Sequence, residues 1–319
     1  MKNKVSIGKF VIQNNTYFIL ILLLVICAII SPDFFTGANL INLLKQNAAL
    51  TIMVIGMLFV ILTGGIDLSV GSIYALGSVM TAWALTTAGI GMVWAIIIPI
   101  VMGAVLGLIT GFFVAYSNMA AFVASMAMMT MARGLAFLIA NGHPVQCPDG
   151  SIGALGVAMI GNIIPWLSVL ALFVCIIFWI VYKYTGFGRV VIAIGSNEDA
   201  VRLAGIRTRP VKMSVYAISG ACSGLAGIIA ASRTNIGTPI IGSGMELDAI
   251  ASCVIGGASL SGGIGSVPKA VVGVFVLAFI GNIMNLLAVP AYPQDIIKGA
   301  IIVFAVVLQQ ATNKKNETV

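Results

Sequence analysis

Ten apolar runs follow one another along the chain, near residues 11–31, 46–63, 68–88, 92–116, 119–140, 164–182, 213–231, 249–262, 270–288 and 296–311, with mostly short connections between them. About 20 apolar residues let an α-helix cross the hydrocarbon core of a bilayer, where a backbone must satisfy its own hydrogen bonds. The rest of the chain agrees: 60% of its 319 residues are hydrophobic and 8% are charged, against about 25% charged in a soluble domain. No single core could hide that much apolar surface from water. The expected fold is an all-α polytopic membrane protein, one transmembrane domain over 1–319 with about ten transmembrane helices. The run at 249–262 is short and interrupted by Gly256-Gly257, so broken or re-entrant segments are part of that expectation.

Orientation follows from the sixteen basic residues, since short cytoplasmic segments concentrate Lys and Arg. With the N-terminus inside, the inner segments hold Lys2, Lys4, Lys9, Lys183, Arg189, Arg202, Arg207, Arg209, Lys212, Lys269, Lys314 and Lys315, and the outer side Lys45, Arg133, Arg233 and Lys298. Both termini are then expected in the cytoplasm. The basic start before Tyr17 to Ile30 resembles a signal peptide, but no small-x-small cleavage site follows in Ser31-Pro32-Asp33, so it reads as a retained first span. The net charge of +7 needs no nucleic acid to explain it in a membrane protein. The five cysteines have no paired spacing and His143 is the only histidine, so no disulfide framework or metal site is expected. Glycines inside apolar runs, Gly103, Gly107 and Gly111 or Gly220, Gly224 and Gly227, suit close helix packing in lipid.

The longest polar stretch, Lys183 to Lys212, contains a short helix with full punctuation. Asn197 or Ser196 caps it, Glu198 and Asp199 sit on its first turn, Arg202 lies near its end and Gly205 stops it. About nine residues would span roughly 13 Å. Its apolar positions, Ala200, Val201, Leu203 and Ala204, suit either a groove in another protein or the membrane surface.

A second segment, Thr63-Gly64-Gly65-Ile66-Asp67-Leu68-Ser69-Val70-Gly71-Ser72, reads as helix–break–helix, with Asp67 placed to cap the second helix. Gly256-Gly257-Ala258-Ser259-Leu260-Ser261-Gly262-Gly263 echoes it, which suggests an internal repeat with a pathway between the breaks. Charges in or beside the spans are functional candidates by default, here Asp67, Arg133, Glu246 and Asp248. Arg133 also fits a snorkelling side chain. Arg133, Glu246 and Asp248 are expected as charges at the outer mouth, where Glu246 and Asp248 also suit a helix N-terminus. The chain has no G-x-x-x-x-G-K-[ST] loop, H-E-x-x-H helix or G-x-S-x-G elbow, so neither ATP hydrolysis nor a hydrolase of the common kinds is expected of it.

TGGIDLSVGS at Thr63 to Ser72, the run from Gly186 to Arg233, and GMELDAIASCVIGGASLSGG at Gly244 to Gly263 strongly resemble permease subunits of sugar-importing ABC transporters of the ribose, xylose and galactoside class. The likeness extends from about Ser31 to the last span. It implies a non-enzymatic, channel-forming subunit of a bacterial inner membrane, paired with a second permease copy or homologue and surrounded by lipid. It further implies cytoplasmic ATPase subunits that carry ATP and Mg, an external sugar-binding protein, and no cofactor on this chain. Residues Gly195, Ser196, Asn197, Glu198, Ala200, Leu203 and Gly205 fall on the family's coupling helix, within the coupling loop 183–212. Gly64, Gly65, Asp67, Ser69, Gly71, Ser72, Gly256 and Gly257 form the breaks that shape the pathway. Met245 stands where the family usually has an aromatic residue, and Ser196 where it commonly has a second glycine. A sugar needs hydrogen-bonding groups along its route, for which Ser69, Ser72, Asn118, Asn282 and Asn285 are candidates. From the residues alone, an ion-coupled secondary carrier using Asp67 as its relay is the alternative.

Overall fold

The computed structural model of the chain describes residues 15–148 and 150–317; Lys2, Lys4 and Lys9 lie outside the described residues. Twelve α-helices follow in order among the described residues: α1 Asn15–Ile30, α2 Gly37–Leu62, α3 Val70–Leu85, α4 Met92–Tyr116, α5 Ala121–Ile139, α6 Gly153–Val157, α7 Trp166–Tyr184, α8 Gly186–Leu203, α9 Thr208–Thr234, α10 Met245–Ile255, α11 Val267–Leu286 and α12 Ala291–Glu317. Each of the ten expected runs lands on a helix. Among the described residues six helices, α2, α4, α5, α7, α9 and α11, are long and apolar enough to cross a membrane, while α1 and α3 are shorter apolar helices. The chain is a multi-pass, all-α membrane protein.

Two expectations change. Helix α2 begins at Gly37 rather than near residue 46, because Thr36 accepts the Asn39 amide and the helix runs on through polar turns that hydropathy does not register. The stretch from Gly186 to Ser196, expected as loop, is helical: Thr185 accepts the Gly188 amide at 3.2 Å and starts α8 there.

Helix ends sort onto two faces. On one, Gly263 N donates to Leu62 O, the Tyr182 hydroxyl donates to Gly265 O, and Arg209 lies over the Tyr116 ring. Lys183, Arg189, Arg202, Arg207, Arg209, Lys212 and Lys269 cluster at this basic face. On the opposite face Val145–Gln146 pairs antiparallel with Ile236–Gly237, Phe34 meets the Phe279 ring edge-on, and Arg233 donates to Gln46 O.

Helix α2 is the axis of the bundle. Every residue from Ala48 to Leu62 is buried, and α9 packs along it so closely that a methyl on Gly56 would sit 2.8 Å from Ser219 Cα. On its other side α9 meets α4, where Gly103 and Gly220 face each other with no room for a Cβ on either. Lipid tails are as apolar as leucine, so such backbone approach, rather than hydrophobicity, is what holds helices together here. The outward faces of α4, α5 and α7 carry exposed Val93, Trp94, Phe112, Phe122, Leu138, Leu172 and Phe173, the surface that lipid covers.

Candidate functional site

Helix α2 stops on the basic face because Gly64 turns left-handed (φ +77°), with Gly64 N bonded to Ile61 O and Gly65 N to Val60 O. The chain then climbs back into the bundle before α3 starts at Val70. Asp67 fixes this return. It is fully buried. Its Oδ1 accepts from the Ser69 amide at 3.0 Å and from the Ser69 hydroxyl, and its Oδ2 accepts from the Ser219 hydroxyl of α9 at 2.7 Å. Asp67 therefore closes a turn onto Ser69, itself the N-cap residue of α3, rather than capping α3 directly. The Tyr216 hydroxyl, pressed against Gly65, is buried with no hydrogen-bond partner among the described residues.

A second return occurs after α9. Asn235 ends that helix in the left-handed region (φ 56°), and residues 236–244 descend beside α3, from Gly237 against Ser78 to Gly242 against Gly71. Helix α10 then runs 11 residues toward the basic face, its Cys253 level with Val54 in the middle of α2. The run expected at 249–262 is thus a short helix, Met245–Ile255, reached through the turns of 238–244 and followed by turns from Gly256. The structure sets long helix, return and short helix twice, in α2–α3 and in α9–α10, and the two returns meet inside the bundle where Gly71, in the first turn of α3, packs on Gly242, three residues before α10. The counterpart of the first break is 235–244; the echoing segment 256–263 instead lies at the lower end of α10. There Gly257 is left-handed (φ +85°) and Ser259 Oγ accepts the Ser261 amide at 3.3 Å, as Asp67 accepts that of Ser69.

Two of the charges expected at the mouth, Glu246 and Arg133, engage the second return. Glu246 Oε1 accepts the Gly244 amide at 3.2 Å, and its carboxylate lies beside Gly71 at the start of α3. Arg133 does not snorkel; its guanidinium donates to Pro239 O and to Ile241 O at 2.6 Å, holding the second return against α5. Asp248 faces α12 and α11 in the half of the bundle away from the basic face.

The three sequence motifs meet at the basic face. Gly263 N donates to Leu62 O at 3.0 Å, and Gly195 closes over that bond: a methyl there would lie 1.8 Å from Leu62 O and 2.4 Å from Gly263 N. Ser196 lies against Gly263, and Gly256 packs on Lys269 and Ala270. Beyond Ser196 the helix breaks at Asn197 (φ −162°, ψ 96°), whose Oδ1 accepts the Ala200 amide at 2.9 Å. Asn197 is the cap; Ser196 Oγ instead bonds back to Ile192 O at 3.1 Å. The short helix runs only from Glu198 to Leu203, less than the nine residues expected, and ends at left-handed Gly205 (φ +81°). Glu198 pairs with Lys212 of α9 at 2.9 Å, and Asp199 with Arg202 at 2.9 Å. Partial burial pushes the Glu198 carboxyl up, but hydrogen bonds from Lys212 and Thr208 and the charges of Lys212 and Arg202 outweigh it and hold the group below its ordinary value. Val201 is buried, whereas Leu203 is 87% exposed.

Of the hydrogen-bonding candidates, Ser69 and Ser72 are buried behind Asp67. Asn118 lines a groove of ≈ 630 Å³ beside the short helix. Asn282 is engaged with Asn39, while Asn285 accepts from Gln294. Sequence reasoning missed Ser219, Tyr216 and the 235–244 return. Ser219 directly precedes the glycine stripe that starts at Gly220, and only the fold sets it opposite Asp67.

The family of branched-chain amino acid transport system permease components matches residues 39–306. The chain is 38% identical to the ribose import permease protein RbsC of Haemophilus influenzae, covering 96% of each chain. It is 40% identical to that of Bacillus subtilis (91% and 90%) and 36% identical to the L-arabinose transport system permease protein AraH of Escherichia coli (100% and 96%). No solved structure matches.

Proposed function

The chain belongs to the family of branched-chain amino acid transport system permease components, and from that membership we propose that it is the membrane-spanning subunit of an ATP-binding cassette importer that moves a monosaccharide, of the kind its ribose and arabinose relatives are named for. The carrying observation is Leu203. It is 87% exposed on the basic face, which the distribution of Lys and Arg favours as the cytoplasmic one, and no residue of this chain covers it. A groove on a cytoplasmic ATPase subunit is its place, with Asn197 capping the helix that presents it and Gly195 joining that helix to both breaks. ATP and Mg belong to those partners, and an external binding protein delivers the sugar to this subunit and its second copy in the inner membrane.

The interior supports a neutral cargo. The N-termini of short helices inside a membrane bundle attract anions. Here Glu246 lies at the start of both α3 and α10, and Asp67 lies just before α3. These carboxylates set negative charge beside the helix starts, which disfavours the carboxylate of an amino acid there.

The test replaces Leu203 with Asp in the complex reconstituted with its ATPase and binding protein. The ATPase should no longer be retained on the membrane, and ATP-dependent uptake of labelled ribose should fall to background. Retention and uptake at wild-type levels would overturn the docking role. Uptake that persists without ATP and collapses with the ion gradient would point instead to an ion-coupled carrier.

A further inference from the structure

A cavity of ≈ 140 Å³ opens between α2, α10, α11 and α12 in the half of the bundle away from the basic face. By volume it is about ten times the ~10–15 Å³ that one water needs, the scale of a single sugar ring rather than an oligosaccharide. Its lining joins apolar Leu43, Leu50 and Leu277 to six polar groups, of which Asn47, Asp248, Gln294 and Lys298 are half-buried and Gln46 and Asn285 are exposed at the rim. Polar side chains inside a membrane domain are costly and collect where they meet water or a solute.

Most of that hydrogen-bonding capacity is unspent. Asn47 uses its amide on Leu43 O, and Gln294 uses its own on Asn285 Oδ1 and Val289 O. The Asn47 and Gln294 oxygens and the Asn285 amide nitrogen stay open. Among the described residues, the side chains of Gln46, Asp248 and Lys298 have no hydrogen-bond partner, and Asp248 and Lys298 form no ion pair although both line the one cavity. The open groups are donors and acceptors side by side, with one acid balanced by one amine. A hydroxyl is both donor and acceptor and carries no charge, so a polyhydroxylated neutral solute satisfies this set. An anion would meet Asp248, with exposed Asp295 nearby on α12, and a cation would meet Lys298.

We propose that this cavity is a staging site for one monosaccharide inside the permease subunit, reached before the solute passes the contact of Gly71 with Gly242. The proposal rests on the sugar-importer reading, and its test separates the two. The five native cysteines are all buried, so Asn285→Cys supplies an accessible thiol in the cavity of the full-length protein. Its labelling by an uncharged maleimide should slow at least threefold in tens of millimolar D-ribose or L-arabinose, and stay unchanged in equal leucine. The pair Asn285→Leu with Gln294→Leu should cut sugar uptake at least tenfold while leaving ATPase retention intact. Unchanged labelling in sugar, or protection by leucine alone, would overturn the site, even with wild-type uptake normal. Sugar protection in a complex that takes up no sugar would uphold the site and remove the importer reading.

Discussion

Ser219 of α9 donates its hydroxyl to Asp67 Oδ2 across 2.7 Å, joining two residues 152 apart in sequence. The bond ties the climbing segment after α2 to the long helix beside it, in a place where no water can substitute. Ser219→Ala removes the only donor to that oxygen among the described residues. A hydrogen bond to a carboxylate contributes about 1.5–3 kcal/mol, so the variant should melt measurably lower in detergent. Asp67→Ala, which strips partners from both serines, should melt lower still. Equal melting of Ser219→Ala and wild type would show that the bond contributes nothing.

Gly195 and Gly134 make opposite predictions for the same substitution. A methyl on Gly195 would lie 1.8 Å from Leu62 O, inside backbone that is itself hydrogen-bonded to Gly263, whereas one on Gly134 meets nothing within 4 Å. Gly195→Ala must push the short helix away from both breaks, and should abolish uptake or folding. Gly134→Ala, in the interior of α5, should be neutral or stabilising by up to about 1 kcal/mol. Comparing membrane yield and uptake of the two variants checks the pair; a functional Gly195→Ala protein would show that the contact is looser than drawn.

The spans were legible because hydropathy is a local property, and so was the cap at Asn197, since capping needs only the residues that follow it. The second return was not. Residues 235–244 are not helical, and read as sequence they look like an outer loop; only packing against Gly71 and Ser78 draws them inward. The partners of Glu246 and Arg133 were hidden for the same reason, because both side chains bond to or lie beside that return. The helical start of α8 was hidden by its glycines and charge, which read as loop until Thr185 is seen to cap it.

Arg133 holds the second return through two carbonyls, at Pro239 and Ile241. Arg133→Ala leaves both acceptors without that donor, at a cost of about 1–3 kcal/mol for each one that water cannot reach. The loss should be local. Amides of 236–244 should exchange hydrogen faster, while those in the middle of α2 keep their protection. Unchanged exchange over 236–244 would show that the return is held by its contacts with α3 alone.

The pair Glu198–Lys212 sets the attachment of the short helix to α9, and its pH dependence has a definite sign. The Glu198 carboxyl titrates below its ordinary value of 4.5 in the folded protein, so folding favours the charged form. Its contribution is fully present above the ordinary glutamate range and is lost as pH falls through the lowered value. Protection of the amides from Ala200 to Ala204, corrected for intrinsic exchange, should therefore hold from neutral pH down to about 5 and drop only below the ordinary range. Glu198→Gln should show, at neutral pH and in acid alike, the lower protection that the wild type reaches only in acid, with no such step. Salt should weaken the wild type at neutral pH, because the Glu198 side chain is 38% exposed and its charge is screened. A drop centred near pH 6 to 7 would assign the step to another group and leave the pair without a measurable part in holding the helix.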